Sequence, residues 1–257
     1  MRNFYLIGKN IENSLSPLIH NYVFEKLNLN ANYQLMEIAD SAKIYQLLKN
    51  YKKNNIHGLN ITNPYKMSVF PYMHKVTDEC SQINAVNCIE FKDQCILGHN
   101  TDWFGFFKML QFNNIDLLDK KIKVIGLGGA HHAVIYAISL MGCSEIELYD
   151  RDNVQYILDN DLESESVVIN CSPNHFINNE SQFIDYFISR KNIWIDLLYT
   201  KLSTKIQNLI NLNHQKLYID GLDMLIYQAL ASINIWFSKN IFKNVDLYDL
   251  KSTLKRD

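Results

Sequence analysis

Apolar and polar positions along the chain alternate with a period that switches between about two and about 3.6 residues, the signatures of strand and helix. Tyr5 to Gly8 reads as a first strand. Asn13-Ser14-Leu15-Ser16-Pro17 then opens a helix reaching about Leu27, with Ser16 at the N-cap and Pro17 at N1. Tyr33 to Ile38 is a second strand, Ser41 caps a helix to about Lys53, and Gly58 to Ile61 is a third strand. That strand runs into Thr62-Asn63-Pro64-Tyr65-Lys66, where Pro64 can start a short helix. Thr77-Asp78-Glu79 opens another helix, Val86 to Phe91 and Gln94 to Gly98 form a hairpin around Lys92-Asp93, and Asn100-Thr101-Asp102 leads into a helix.

The second half opens on a different pattern. Ile122, Val124 and Ile125 are apolar enough for a strand buried on both faces. Gly126, Gly128 and Gly129 follow at once, then Ala130 and an apolar run at helical spacing that Gly142 closes. Ile146 to Asp150 is the next strand, so an acidic residue lies roughly 20 residues past the loop, as in a dinucleotide-binding βαβ unit. Glycines there let backbone N–H groups approach a pyrophosphate, and the helix N-terminus adds positive potential. The third glycine of the G-x-G-x-x-G pattern is replaced by His131, so a side chain must be turned from the sheet or the helix must sit differently. Beyond lie strands at Val167 to Asn170, Ile193 to Asp196 and Leu217 to Ile219, with helices at Ser181 to Arg190 and Thr204 to Leu212. Asp220-Gly221 is a turn, Leu222 to Phe237 a long amphipathic helix, and Asp246 to Leu254 a last helix. This alternation predicts α/β architecture with two domains, dividing near Asp102 and Gly221: 1–102 with 222–257, and 103–221.

Length and charge narrow the class. A chain of 257 residues that is 47% hydrophobic can fill two modest cores. Its 25 basic and 27 acidic residues balance, so no global field draws it to nucleic acid or a membrane surface. No apolar run is long enough to span a bilayer, and the first residues read as a strand rather than a signal peptide. The five cysteines lack metal-ligand spacing, which predicts reduced, mostly buried thiols in a cytoplasmic protein.

Four polar clusters stand at predicted strand ends: Ser14 with Ser16; Asn60, Thr62 and Lys66; Asn84 with Asn87; and Asn100, Thr101 and Asp102. Taken singly, each reads as helix capping or a solvated charge. Taken in order, Ser14-Leu15-Ser16-Pro17-Leu18-Ile19-His20, Gly58-Leu59-Asn60-Ile61-Thr62-Asn63-Pro64-Tyr65-Lys66, Ala85-Val86-Asn87, Asn100-Thr101-Asp102, Gly126-Leu127-Gly128-Gly129-Ala130 and Asp220-Gly221-Leu222-Asp223-Met224-Leu225-Ile226-Tyr227-Gln228-Ala229 resemble the shikimate dehydrogenase family over almost the whole chain.

The resemblance implies an N-terminal substrate domain, a Rossmann-like NADP domain, and C-terminal helices packing back on the first. It implies reversible, NADPH-dependent reduction of 3-dehydroshikimate to shikimate in aromatic amino-acid and chorismate biosynthesis. Lys66 and Asp102 match the catalytic pair. Ser14, Ser16 and Tyr199 match the groups that bind the substrate carboxylate. Thr62, Asn87 and Gln228 match those that bind ring hydroxyls, and Asn60 joins the substrate set. Gly126, Gly128, Gly129, Ala130, Asp150, Arg151, Leu197, Gly221 and Met224 match the cofactor contacts. The implied partner is a small molecule, the implied assembly a monomer or homodimer, and no metal is implied.

There are departures. Asn10 and Asn13 stand where the family usually has Pro and His, and Asn170-Cys171-Ser172-Pro173 where it has Asn-Ala-Thr-Ser. The stretch from Arg151 to Ser166 is short. Asp150 and Asp152 flank Arg151 where NADP users carry neutral groups, which weakens a preference for the 2′-phosphate and leaves NAD as an alternative cofactor. Competing readings are a quinate/shikimate dehydrogenase using NAD, and a catalytically silent family member that binds ligand.

Overall fold

The computed structural model describes residues 1–143, 145–150, 166–172, 193–199 and 218–254, which hold two sheets and seven α-helices. The chain divides into two compact units, Met1–Phe106 with Leu225–Asp257, and Phe107–Met224. Both divisions fall inside helices, α4 (Asp102–Phe112) and α6 (Leu222–Phe237).

The first unit is built on a six-stranded mixed sheet of order β2-β1-β3-β5-β6-β4. Its strands are β1 (Arg2–Gly8), β2 (Ala31–Glu37), β3 (Gly58–Ile61), β4 (Lys75–Val76), β5 (Cys88–Lys92) and β6 (Cys95–His99). Strands β1, β2 and β3 run parallel, joined by helices α1 (Ser16–Lys26) and α2 (Ser41–Lys49). β5 then pairs antiparallel to β3, with Asn60 opposite Cys88, and β6 antiparallel to β5, with Cys88 opposite His99. The reversal puts the residues just before β5 and just after β6 at the same sheet edge as the C-terminal ends of β1 and β3.

One core cluster gathers Ile7, Ile44, Leu48, Leu59, Ile61, Val86 and Ile89. An aromatic group joins Phe4, Phe24, Trp236 and Phe237, with Phe4 stacked on Trp236 at 4.5 Å. Such a pair adds about 0.5–1.5 kcal/mol beyond its area burial. His20 is buried in this region, stacked on Tyr33 at 3.8 Å. Its Nδ1 lies 2.8 Å from the Ser16 carbonyl, so Nδ1 carries the hydrogen. Burial lowers its pKa to about 3, keeping the ring neutral.

The second unit is a five-stranded parallel sheet of order β11-β10-β9-β7-β8. The strands are β7 (Ile122–Ile125), β8 (Ile146–Tyr149), β9 (Val167–Asn170), β10 (Ile193–Asp196) and β11 (Tyr218–Asp220). β7 and β9 are buried throughout, as expected of central parallel strands. Counted from β7, this is the doubly wound order 2-1-3-4-5, whose ligand crevice opens at the carboxyl ends of the first and third strands. Those ends are Gly126 and Cys171-Ser172.

Several local readings are corrected. The first helix has Leu15, not Ser16, at its N-cap, and that residue makes no side-chain cap bond. The second is capped by Asp40, which accepts from Ala42 N at 2.9 Å, not by Ser41, and it stops at Lys49. Residues 62–69 form turns in place of a helix at Pro64, because buried Tyr65 is tied by its hydroxyl to the Ile38 carbonyl at 2.6 Å. The hairpin turns on Asp93 and Gln94, both with positive φ. Only Cys80 and Cys88 of the five free cysteines are buried. The helices expected at Ser181 to Arg190 and Thr204 to Leu212 lie outside the described residues. Among those described, no helix is long and apolar enough to cross a membrane, and the remaining helices are α3 (Asp78–Ile83), α5 (Gly129–Leu140) and α7 (Leu247–Leu254).

Candidate active site

The first unit's site forms where the sheet brings four segments to one edge. β1 and β3 pair through Ile7 and Ile61, so the stretches after them emerge side by side, linked where Lys9 N donates to Asn63 O at 3.1 Å. One stretch ends in Ser14 and Ser16, the other in Thr62 and Lys66. The Ser14 and Ser16 hydroxyls are 3.2 Å apart at the start of α1. Ser14 Oγ also accepts from Ser16 N at 3.3 Å, so the two hydroxyls stand together at the positive end of α1, which suits an anionic oxygen.

Lys66 and Asp102 meet directly. The ammonium is 2.7 Å from Asp102 Oδ2, with side chains only 14% and 7% exposed. Asn100 positions the carboxylate from below, its Oδ1 accepting from Asp102 N at 3.0 Å to start α4. Asn87 takes the other carboxylate oxygen, donating from Nδ2 to Oδ1 at 2.8 Å. The orientation of the Asn87 amide is fixed by chemistry: its Oδ1 accepts from the backbone N–H of Thr101 at 2.6 Å, and a backbone N–H can only donate. The second Asn87 hydrogen reaches Thr101 Oγ1 at 2.9 Å. Gln228 borders the group from α6, its Oε1 3.5 Å from both Asn87 Nδ2 and Thr101 Oγ1, and its Nε2 donates to Leu225 O at 2.9 Å. A lysine, a carboxylate and oriented amides at one buried edge can deliver a proton to an oxygen and hold neighbouring hydroxyls.

Asn60 stands apart from the other expected ligand groups. It is buried, and its amide is spent on Tyr33, Asn87 and Ser232 within the protein. Sequence reading placed it with the substrate contacts because its partners are remote in the chain and carry no local signal. Ser232 and Tyr33 escaped notice for the same reason. Thr62 is half-buried, its backbone N–H bonded to Ile7 O at 2.8 Å.

The second unit presents its glycine turn at the β7–β9 crevice. Gly126 has φ +89°, and a Cβ there would sit 2.8 Å from Ser172 N. Gly128 forms the N-cap of α5 without a side-chain bond, and the space beside it is open. Gly129 and Ala130 occupy the uncapped first turn. These are the features a pyrophosphate requires, so the turn fits a dinucleotide. Asp150 follows β8 directly, beside Tyr149, whose carbonyl accepts from Gly126 N at 2.8 Å. Leu197 N bonds Asn170 O at 3.0 Å, Gly221 N bonds Leu198 O at 3.1 Å, and a Cβ on Gly221 would collide with the Leu197 carbonyl. Met224 is buried in the first turn of α6, and Tyr199 lies on the stretch after β10. A buried carboxylate, Asp196, anchors this stretch by accepting from Asn170 Nδ2 at 3.1 Å and Leu198 N at 3.0 Å. Nothing in the sequence marked it. His131 is buried, neither ring nitrogen has a hydrogen-bond partner among the described residues, and burial lowers its pKa. Arg151 and Asp152 lie outside the described residues, and among those described no group of His, Cys, Asp and Glu could hold a metal.

A parallel sheet with a glycine turn at its switch point in the second unit, and a buried lysine–carboxylate pair in the first, define a two-unit α/β protein of the dinucleotide-binding kind. Residues 6–89 match the family described as shikimate dehydrogenase substrate binding domain. A shikimate dehydrogenase (NADP(+)) of Clostridium botulinum strain Hall is 32% identical over 90% of this chain and 95% of its own. Its counterpart in Caldicellulosiruptor bescii is 29% identical over 99% and 96%. Among solved structures, shikimate dehydrogenase 1 of Peptoclostridium difficile superposes with a TM-score of 0.80 at 28% identity, covering 99% of this chain and 97% of that one. The enzyme from Aquifex aeolicus does so at 0.81 and 26%, over 100% and 98%. The chain belongs to the shikimate dehydrogenase family.

Proposed function

We propose that the chain catalyses the reversible reduction of 3-dehydroshikimate to shikimate with NADPH, a step of aromatic amino-acid biosynthesis. The observation that carries this is the buried Lys66–Asp102 contact of 2.7 Å, backed by Asn87. The first unit holds the substrate and the second the dinucleotide.

When bound, the dinucleotide supplies the hydride. The chain's own residues do the rest. Lys66 hydrogen-bonds the oxygen on the reacting carbon and gives it a proton as charge develops there; in the oxidative direction it takes that proton back. Asp102 holds the ammonium in place and, as a carboxylate, accepts from a substrate hydroxyl. Thr62, Asn87 and Gln228 are assigned to the ring hydroxyls. Gln228 suits this best, because among the described residues its Oε1 makes two long contacts and its Nε2 one bond, to Leu225 O. Ser14 and Ser16 are assigned to the substrate carboxylate. Tyr199 is assigned to it as well, on sequence resemblance. Gly126, Gly128, Gly129 and Ala130 hold the pyrophosphate, and Leu197, Gly221 and Met224 are assigned to the rest of the cofactor, with Arg151 at the 2′-phosphate.

A second reading concerns the cofactor. Asp150 at the end of β8 stands where an acid commonly binds an unphosphorylated ribose, which favours measurable use of NAD. The test is absorbance at the reduced-nicotinamide band, with shikimate or quinate and each of NADP and NAD. Reduction with shikimate and NADP is expected, with a kcat/KM ratio for NADP over NAD below about 10³, a discrimination of ~4 kcal/mol. No reduction with shikimate and either cofactor refutes the proposed function.

A further inference from the structure

The amide of Asn60 links β3 to β2, to α6 and to the residue just before β5, and its orientation is unambiguous. The main-chain carbonyl of Asn87 can only accept, so Asn60 Nδ2 faces it, at 3.0 Å. The second Nδ2 hydrogen points to Ser232 Oγ at 2.9 Å. Asn60 Oδ1 therefore accepts from the Tyr33 hydroxyl at 2.9 Å. Ser232, having to accept from Asn60, gives its own hydrogen to the Gln228 carbonyl one turn back in α6, at 3.0 Å. The Cys88 thiol, kept neutral by burial, borders the same hydroxyl. The bonds from Tyr33 through Asn60 and Ser232 to Gln228 thus run in one direction, and the Thr101 hydroxyl adjoins them 3.3 Å from Ser232 Oγ. Ser232 is fully buried, and Asn60 and Tyr33 nearly so.

The carbonyl that Asn60 holds belongs to the residue whose side chain holds Asp102. Asn87 O accepts from Asn60 Nδ2 and from Ile61 N at 2.9 Å, while Asn87 Nδ2 donates to Asp102 Oδ1 at 2.8 Å. We propose that Asn60 and Ser232 are positioning residues that set the Lys66–Asp102 pair through Asn87, so Asn60 acts beneath the substrate rather than on it. The inference rests on the function proposed above. Alignment of this kind matters because a misplacement of about 1 Å at a reacting centre can cost on the order of 10² in rate.

Ser232→Ala removes the acceptor while leaving Asn87, Asp102 and Lys66 chemically intact. With shikimate and NADP, kcat should fall about 5- to 10-fold, as for one lost hydrogen bond. The shikimate KM should stay within about twofold, and Ser232→Thr, which keeps the hydroxyl, should restore kcat. The decisive arm is a double-mutant cycle: in an Asn87→Ala background, where the link to Asp102 is gone, Ser232→Ala should change kcat by less than about twofold. An equal loss in both backgrounds, or no loss in the first, overturns the proposal, whatever happens to the melting temperature. Should Ser232→Ala fail to fold, Tyr33→Phe opens the same network at its other end, with the same expected pattern and the same refutation. A wild type that reduces neither dinucleotide with shikimate refutes the function itself. An active wild type whose kcat ignores Ser232→Ala refutes only the positioning role.

Discussion

Asp102→Asn is the substitution on which the site geometry speaks most sharply. The carboxylate accepts on both oxygens, from Asn87 Nδ2 at 2.8 Å and from Lys66 Nζ at 2.7 Å. An amide of the same shape has one acceptor and one donor. If its NH₂ faces Lys66, it opposes an ammonium; if it faces Asn87, two NH₂ groups meet. Asn87 cannot turn to relieve the second case, because the Thr101 N–H holds its oxygen at 2.6 Å. Either arrangement loses a charge-assisted hydrogen bond, about 1.5–3 kcal/mol, and strips the ammonium of its counter-charge. Side chains 14% and 7% exposed are poorly screened, so the total approaches the ~3–5 kcal/mol for halving a buried pair. At about 2–4 °C per kcal/mol for a chain of this size, the melting temperature should drop by on the order of 10 °C. Turnover should fall roughly 10²–10⁴-fold, the range for a displaced acid–base group. Initial rates of NADP reduction at saturating shikimate and thermal unfolding followed by circular dichroism give the two numbers. A variant within about threefold of wild-type kcat would show that the pair is structural, since an acid–base group in place contributes at least ~10²-fold.

Three further outcomes are expected. Lys66→Ala should lower kcat roughly 10²–10⁴-fold with a smaller change in shikimate KM, and normal turnover at saturation would remove Lys66 from the chemistry. Tyr199→Phe should lower kcat/KM for shikimate about 10- to 100-fold, for one lost bond of ~1.5–3 kcal/mol to a charged group, and an unchanged value would place Tyr199 away from the substrate. His20 binds a proton at about pH 6.5 when unfolded but only at about 3 when folded. Its stabilising share is therefore complete above pH 6.5 and is lost as pH falls below it, by up to ~1.4 kcal/mol per unit. Urea unfolding at several pH values should be visibly flatter in His20→Phe than in wild type, and parallel curves would contradict the burial argument.

What the sequence disclosed follows the range of each interaction. β7 and β9 were readable because a parallel strand buried on both faces is mostly apolar, a purely local signal that survives Lys123 inside β7. The glycine turn was readable because only glycine tolerates φ +89° at residue 126. Helix starts moved by a residue, since Ser41 and Asp40 are equally good caps in sequence and the backbone chose Asp40. The Lys66–Asp102 meeting was reached only through motif order, as 36 positions separate the two residues. The internal bonds of Asn60 were not legible, because one partner of its amide, Ser232, lies 172 positions away. For His131 the sequence left two outcomes open, a side chain turned from the sheet or a helix set differently, and its position on the stripe of α5 shared with Val134 and Ile138 carries it inward.

The hairpin of β5 and β6 has a consequence for how this chain can change length. Asn87 and Asp102 stand at its open end, and Asp93 and Gln94 at its closed tip, with the Cys88–His99 to Lys92–Cys95 ladder between. A residue inserted at the tip leaves every rung paired as before. A residue inserted between Cys88 and Lys92 advances one side of the ladder by a step and exchanges the faces of all that precede it, withdrawing the Asn87 amide from the carboxylate. Tolerance to insertion should therefore be sharply polarised along a stretch of a dozen residues, permissive for tags or loop grafts at Asp93-Gln94 and closed to them a few positions to either side.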